Sequence, residues 1–373
     1  MTLDRRASLL FLISLGIYTT LSLALAFTAN VAVMLLLNAF AVSIPAFLIP
    51  SVIFRRKNRL PVFRAPKFGH IMLALLLGIG CIFLNIAVGC LNSALTYGID
   101  INSNALDVQE SLKSAGIPVM IIAVAIVPAI SEEFLMRGTL LECWRRISPF
   151  GAIMLTSLLF GLLHTSPSNF LVYFAMGILF GVVYNITRNV WLTVVIHFVN
   201  NLLSVLISAA YMNEEFAQQL ESAEGLAGSQ ELGGLIAGFF SYLLIAAVII
   251  VPIVFALRAS CRRNGIGMYA PEDGGVCEAA FADGRTSRPL YDANTGRPLY
   301  ETDPSAPKFD PATGEPLYKA RPAQAMFDTA TGAPLVKADR GRLWSDPFIW
   351  IAVAILIVLN VFSGLVEFGV IYY

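Results

Sequence analysis

Charge is scarce in this chain. Only 13% of its 373 residues are Asp, Glu, Lys or Arg, and histidine occurs three times. Soluble domains carry about a quarter charged residues. With 57% hydrophobic residues and a mean hydropathy of +0.72, the composition excludes a soluble enzyme and points to a membrane protein. Net charge is also lacking, since 25 basic residues balance 25 acidic ones, which removes the case for nucleic acid or another polyanion as a partner. Cysteine is sparse and unpaired in spacing. Cys81, Cys90, Cys143, Cys261 and Cys277 form no CxxC, and most lie in or beside apolar stretches, which excludes a disulfide framework or a zinc knuckle.

What the chain has instead is long apolar runs. A helix needs about 20 mostly apolar residues to cross a bilayer. Runs at roughly 8–28, 31–54, 69–92, 116–136, 150–166, 169–187, 190–211, 232–257 and 346–371 predict about nine spans, an all-α polytopic membrane protein. Arg5 and Arg6 before the first run resemble the start of a signal peptide, but a second apolar run follows almost at once, so an uncleaved helical hairpin is expected. Arg5/Arg6, the cluster Arg55-Arg56-Lys57-Asn58-Arg59, Arg145/Arg146, Arg188 and Arg258/Arg262/Arg263 fall on one side if the N-terminus is cytoplasmic. The loops 98–114 and 212–231 between them are acidic or neutral. Basic cytoplasmic loops and a tail without an ER retrieval signal fit a bacterial plasma membrane.

Three regions follow: a transmembrane core over 1–257, a cytoplasmic Pro/Gly-rich segment over 258–345, and a C-terminal transmembrane helix over 346–373. The middle region repeats itself. Tyr291-Asp-Ala-Asn-Thr-Gly-Arg-Pro-Leu returns from Phe309 and again from Phe327, a period of 18 residues with a weaker period of 9. Asp before a Thr-Gly turn suits short hairpins in which Gly takes a positive φ. The repeats over 281–336 read either as a spacer or as a docking module for a protein partner.

Ionisable groups inside spans are costly and mark cavities or pathways. Here they gather in three places, Glu132-Glu133-x-x-x-Arg137, Phe160-x-x-x-His164 and His197-x-x-x-Asn201. Glu133 and Arg137 share one helical face in the favourable order for an ion pair. Glu132, about 100° away around the helix, is left for another task. The groups can meet near mid-membrane only if the fourth helix continues well past Arg137, to about Arg146.

Together these motifs resemble the CPBP family, which comprises the CAAX-type prenyl protease, Rce1-like intramembrane endopeptidases and bacteriocin-processing relatives. All three stand in the family's order, within residues 115–210. The repeat segment and the ninth span lie outside that likeness. The resemblance implies an intramembrane endopeptidase, with the motif residues in one pocket. Glu132 is then the candidate base, with His164 sharing its water, His197 and Asn201 donating to the oxyanion, and Glu133, Arg137 and Phe160 in support. It also implies a metalloprotease label. Glu132, His164 and His197 make an acceptable three-ligand set for zinc, yet the compact His-Glu-x-x-His helix is absent. A glutamate-activated water without metal is equally compatible with these residues. The substrate expected is a membrane-associated peptide or protein. Two rivals from other classes are a proton-coupled transporter, since Glu and His also build proton relays, and an inactive scaffold that recruits partners through its repeats.

Overall fold

The computed structural model describes residues 3–25, 30–53, 65–97, 114–145, 148–211, 231–263, 301–302, 320–321 and 345–367. The chain divides into two compact units, Met1–Ser260 with Arg340–Tyr373, and Cys261–Asp339. In the second unit, β1 (Glu301–Thr302) and β2 (Ala320–Arg321) pair antiparallel, Glu301 opposite Arg321 and Thr302 opposite Ala320. The remainder of the 18-residue repeats, the Arg55–Arg59 cluster and most of the two acidic loops lie outside the described residues.

The first unit is helical. Its elements are α1 (Leu3–Leu25), α2 (Val31–Ile53), α3 (Phe68–Leu95), α4 (Ile117–Trp144), α5 (Pro149–Leu163), α6 (Phe170–Thr187), α7 (Val190–Ala210), α8 (Leu232–Arg263) and α9 (Pro347–Glu367). Six of these, α3, α4, α8, α9, α7 and α6 extended through Pro167, are long and apolar enough to cross a bilayer. Lipid-facing side chains such as Phe240, Leu244 and Val248 on α8 and Val358 on α9 stay exposed, as a protein solvated by acyl chains requires.

The expected span at 150–166 is shorter than the sequence predicts. Ser148 caps the start of α5, its Oγ accepting from the Gly151 N–H at 3.1 Å, with Pro149 in the first turn. The helix then stops at Leu163 after 15 residues. That length rises about 22 Å, against about 30 Å of hydrocarbon. A helix of that length covers only part of the hydrocarbon thickness, and His164 follows its last residue.

Helix α4 is the central element, packed against α2, α5, α6 and α7. It runs to Trp144 and so meets the condition for the three motifs to converge. Two π-helical stretches, Ile121–Ile126 and Met136–Leu141, flank the segment bearing Glu132 and Glu133. The first has an identifiable cause. Pro128 has no N–H to give the Val124 carbonyl four residues earlier, and the Asn201 amide on α7 donates to that carbonyl instead, at 2.9 Å.

Glycines mark two further helix contacts. On α6, a Cβ at Gly177 would lie 2.8 Å from Ser157 Cα, and one at Gly181 would lie 3.1 Å from Ile153 Cγ2. The small-residue pair Gly177/Gly181 is thus spent on an intrachain contact with α5. Helix α8 runs antiparallel along α3, from the bond between His70 Nε2 and Ser260 Oγ at 2.8 Å to the contact of Gly238 with Cys90. Gly177→Ala should lower stability by about 1–3 kcal/mol through overpacking. Gly16→Ala, which meets nothing within 4 Å, should not lower it. Thermal midpoints of the two variants in detergent micelles check the contrast.

Candidate active site

The site is built on a buried ion pair. Glu133 and Arg137 are both wholly inaccessible, and Arg137 Nη1 donates to Glu133 Oε1 at 2.7 Å. Arg137 Nη2 donates to the Gly177 carbonyl at 3.1 Å, which the missing side chain leaves open to approach. The guanidinium also lies over the rings of Phe160, at 4.7 Å, and Phe180, at 5.2 Å. Cation, carboxylate, carbonyl and ring faces together replace the water that neither charge can reach.

The same carboxylate oxygen fixes His197. Nδ1 lies 3.1 Å from Glu133 Oε1. A carboxylate can only accept, so Nδ1 carries the hydrogen and Nε2 is left for other chemistry. The ring of His197 also packs beside Phe160 and Phe180.

His164 is oriented by a different acceptor in the same way. Its Nδ1 donates to the Phe160 carbonyl at 2.8 Å, which again leaves Nε2 bare. The ring stacks on Tyr173 with centroids 3.7 Å apart and planes 16° from parallel. The next residue, Thr165, has φ 45. A β-branched residue rarely adopts that left-handed conformation, so the chain accepts strain where α5 ends, beside His164.

Glu132 stands apart from all this pairing. It is half-buried, and its Oε2 is sequestered with no hydrogen-bond partner among the described residues. Its charge reaches His164, Arg137 and Tyr18 of α1. Asn201 is partly committed. One amide hydrogen goes to Val124, and its Oδ1 accepts from Asn200 Nδ2 at 3.1 Å, so one amide hydrogen is left over.

The structure thus joins Glu133, Arg137, His197, Phe160 and His164 through direct contacts, with Glu132 beside Glu133 in sequence and Asn201 one turn along α7 from His197. Among the described residues, no three His, Cys, Asp or Glu side chains stand close enough to hold a metal ion. Both histidines are nonetheless oriented through Nδ1, by a carboxylate in one case and a carbonyl in the other.

Residues 114–203 match the Rce1-like family of type II CAAX prenyl endopeptidases. The Rce1-like stretch takes in α4 to most of α7 and every motif residue above. A curated relative, "Putative membrane peptidase YdiL" of Bacillus subtilis (strain 168), is 29% identical over 104 residues, covering 28% of this chain and 43% of that protein. The chain therefore spans less than half the length of that relative. No solved structure matches it at a significant level.

Several functional neighbours were not evident from sequence. Asn200 is buried and bonds Asn85 of α3 as well as Asn201. Arg188, read as a loop charge, is buried in the left-handed cap of α6 at φ 52. There its guanidinium grips Glu142 with both terminal nitrogens, joined by Tyr184 Oη at 2.8 Å and Arg145 Nε at 3.0 Å. Only the i,i+3 spacing of Glu142 and Arg145 hinted at this cluster.

Glu133→Ala should cost about 3–5 kcal/mol, because it strands Arg137 in low dielectric. Quantitative immunoblots of membranes should show it less abundant than Glu132→Gln. Equal abundance would mean that Arg137 finds another anionic partner or water.

Proposed function

We propose that the protein is an intramembrane endopeptidase that hydrolyses a peptide bond with a water activated by Glu132 and His164. The observation that carries this reading is the contrast between two adjacent carboxylates. Glu133 is held through Oε1 by both Arg137 and His197, whereas Glu132 has no ion pair or hydrogen bond among the described residues, although one oxygen of each carboxylate is sequestered without a partner. A carboxylate committed to a guanidinium is a poor base, and an unpartnered one beside an imidazole with a bare Nε2 is a good one.

The chemistry follows from these positions. Glu132 takes a proton from the water, and His164 Nε2 accepts the water's other hydrogen as a bond that orients it. The resulting hydroxide adds to the scissile carbonyl. The second amide hydrogen of Asn201 is available to the oxyanion. His197 can add a donor from Nε2 only when it carries both ring protons, a state that faces the Glu133 carboxylate as an ion pair. Glu132 then returns its proton to the leaving amine as the carbon–nitrogen bond breaks. Glu132, His197 and Asn201 sit on helices long and apolar enough to cross a bilayer, and the Rce1-like match favours a membrane-associated peptide or protein as substrate. The basic loops favour a cytoplasmic N-terminus.

Glu132→Gln keeps the shape of the side chain and removes the base. Terminal-specific mass spectrometry of membrane and secreted peptides should find new termini with the wild type and none with Glu132→Gln at matched abundance. Identical termini from both would refute Glu132 as the base.

A further inference from the structure

Helix α9 lies outside the Rce1-like match, yet it reaches the site through one polar group. Asn360 is buried on a helix that is otherwise nearly all apolar. Its Nδ2 donates to the Leu162 carbonyl at 2.7 Å and to the Leu356 carbonyl of its own helix at 2.8 Å. Leu162 stands two residues before His164, where α5 ends. The last carbonyls of a helix have no intrahelical donor, and inside a bilayer they have no water either. The Thr165 N–H offers Leu162 a turn bond at 3.1 Å. The Asn360 bond is shorter and comes from a separate helix. The heights agree as well, since Leu162 is the fourteenth residue of α5 and Asn360 the fourteenth of α9, counting from Pro149 and Pro347.

We propose that Asn360 is a positioning residue for His164. By holding the Leu162 carbonyl it fixes the non-helical turn that includes Thr165, and through that turn the orientation and tautomer of the His164 ring. The ring's own restraints are the Phe160 carbonyl and the Tyr173 face. Both depend on where the backbone of residues 162–165 sits, and Thr165 holds a conformation that its side chain disfavours. Without an external donor the turn can relax and carry His164 off the Phe160 carbonyl. The catalytic consequence rests on the proposed role of His164, but the structural claim does not.

The chain contains only His70, His164 and His197, so the test can read His164 directly. The full-length protein, labelled with ¹⁵N-histidine and held in lipid bilayers at neutral pH, is examined by solid-state NMR, with His164→Gln assigning the signals. The wild type should give His164 as a single set, Nδ1 protonated and Nε2 bare. Asn360→Leu should split that set or move it towards mixed tautomers, while His70 and His197 hold and report an intact fold. Asn360→Gln, which keeps the amide donor, should retain the wild-type set. An unchanged His164 in Asn360→Leu, a change in all three histidines together, or equal loss in the Gln and Leu variants would each overturn the proposal. No substrate is present in the measurement, so failure of the cleavage assay would count against the peptidase reading and leave this one standing.

Discussion

Two opposite charges buried four residues apart on one helix constrain most of what surrounds them. Neither Glu133 nor Arg137 reaches solvent, and an unpaired charge at that depth would cost about 3–5 kcal/mol, a large part of a domain's margin of stability. The helix must therefore keep them in contact, the neighbouring helix must bring an open carbonyl, and aromatic faces must cover the guanidinium. Gly177, Phe160 and Phe180 meet those demands. The carboxylate then has capacity left for His197, so the pair that holds the bundle also orients one of the site's imidazoles. Adjacent positions on a helix face different ways, and Glu132 is excluded from the pair by that geometry alone.

The second constraint is backbone that is not helical at membrane depth. Such backbone is tolerated only where protein or trapped water satisfies it. Among the described residues, a side-chain amide from another helix answers such backbone in two places. Asn201 meets the Val124 carbonyl that Pro128 leaves without a donor, and Asn360 meets the Leu162 carbonyl at the end of α5. Both lie within a few residues of groups assigned to the pocket. Irregular backbone sets the site's geometry, and single asparagines fix the irregularity.

Much of this was legible in the sequence because membranes make polar residues conspicuous. Among the described residues, nine helices occupy nearly the ranges that the apolar runs predict, and Glu133 with Arg137 could be paired from i,i+4 spacing alone. What could not be read was tertiary. The end of α5 at Leu163 is the exception, since Pro167 has no N–H for the Leu163 carbonyl four residues earlier and disfavours helix at Ser166. Arg188 looked like a loop cation because no glycine marks the left-handed turn it occupies, and its partner Glu142 is 46 residues away. Asn360 was visible as a lone amide in an apolar run, but its acceptor lies 198 residues earlier. Three motifs in sequence order pointed to a metal-ligand set as readily as to a general base. Only the spatial arrangement separates a committed carboxylate from a spare one.

The dependence of the bundle on its buried pair is tested most directly by a double-mutant cycle on Glu133 and Arg137, read as thermal midpoints in detergent micelles. Glu133→Met and Arg137→Met should each lower the midpoint sharply, because each leaves one buried charge uncompensated. The double variant should lose much less than the two losses combined, with a coupling of about 0.5–3 kcal/mol. Strictly additive losses would contradict the account, since each charge would then be held by groups other than its partner.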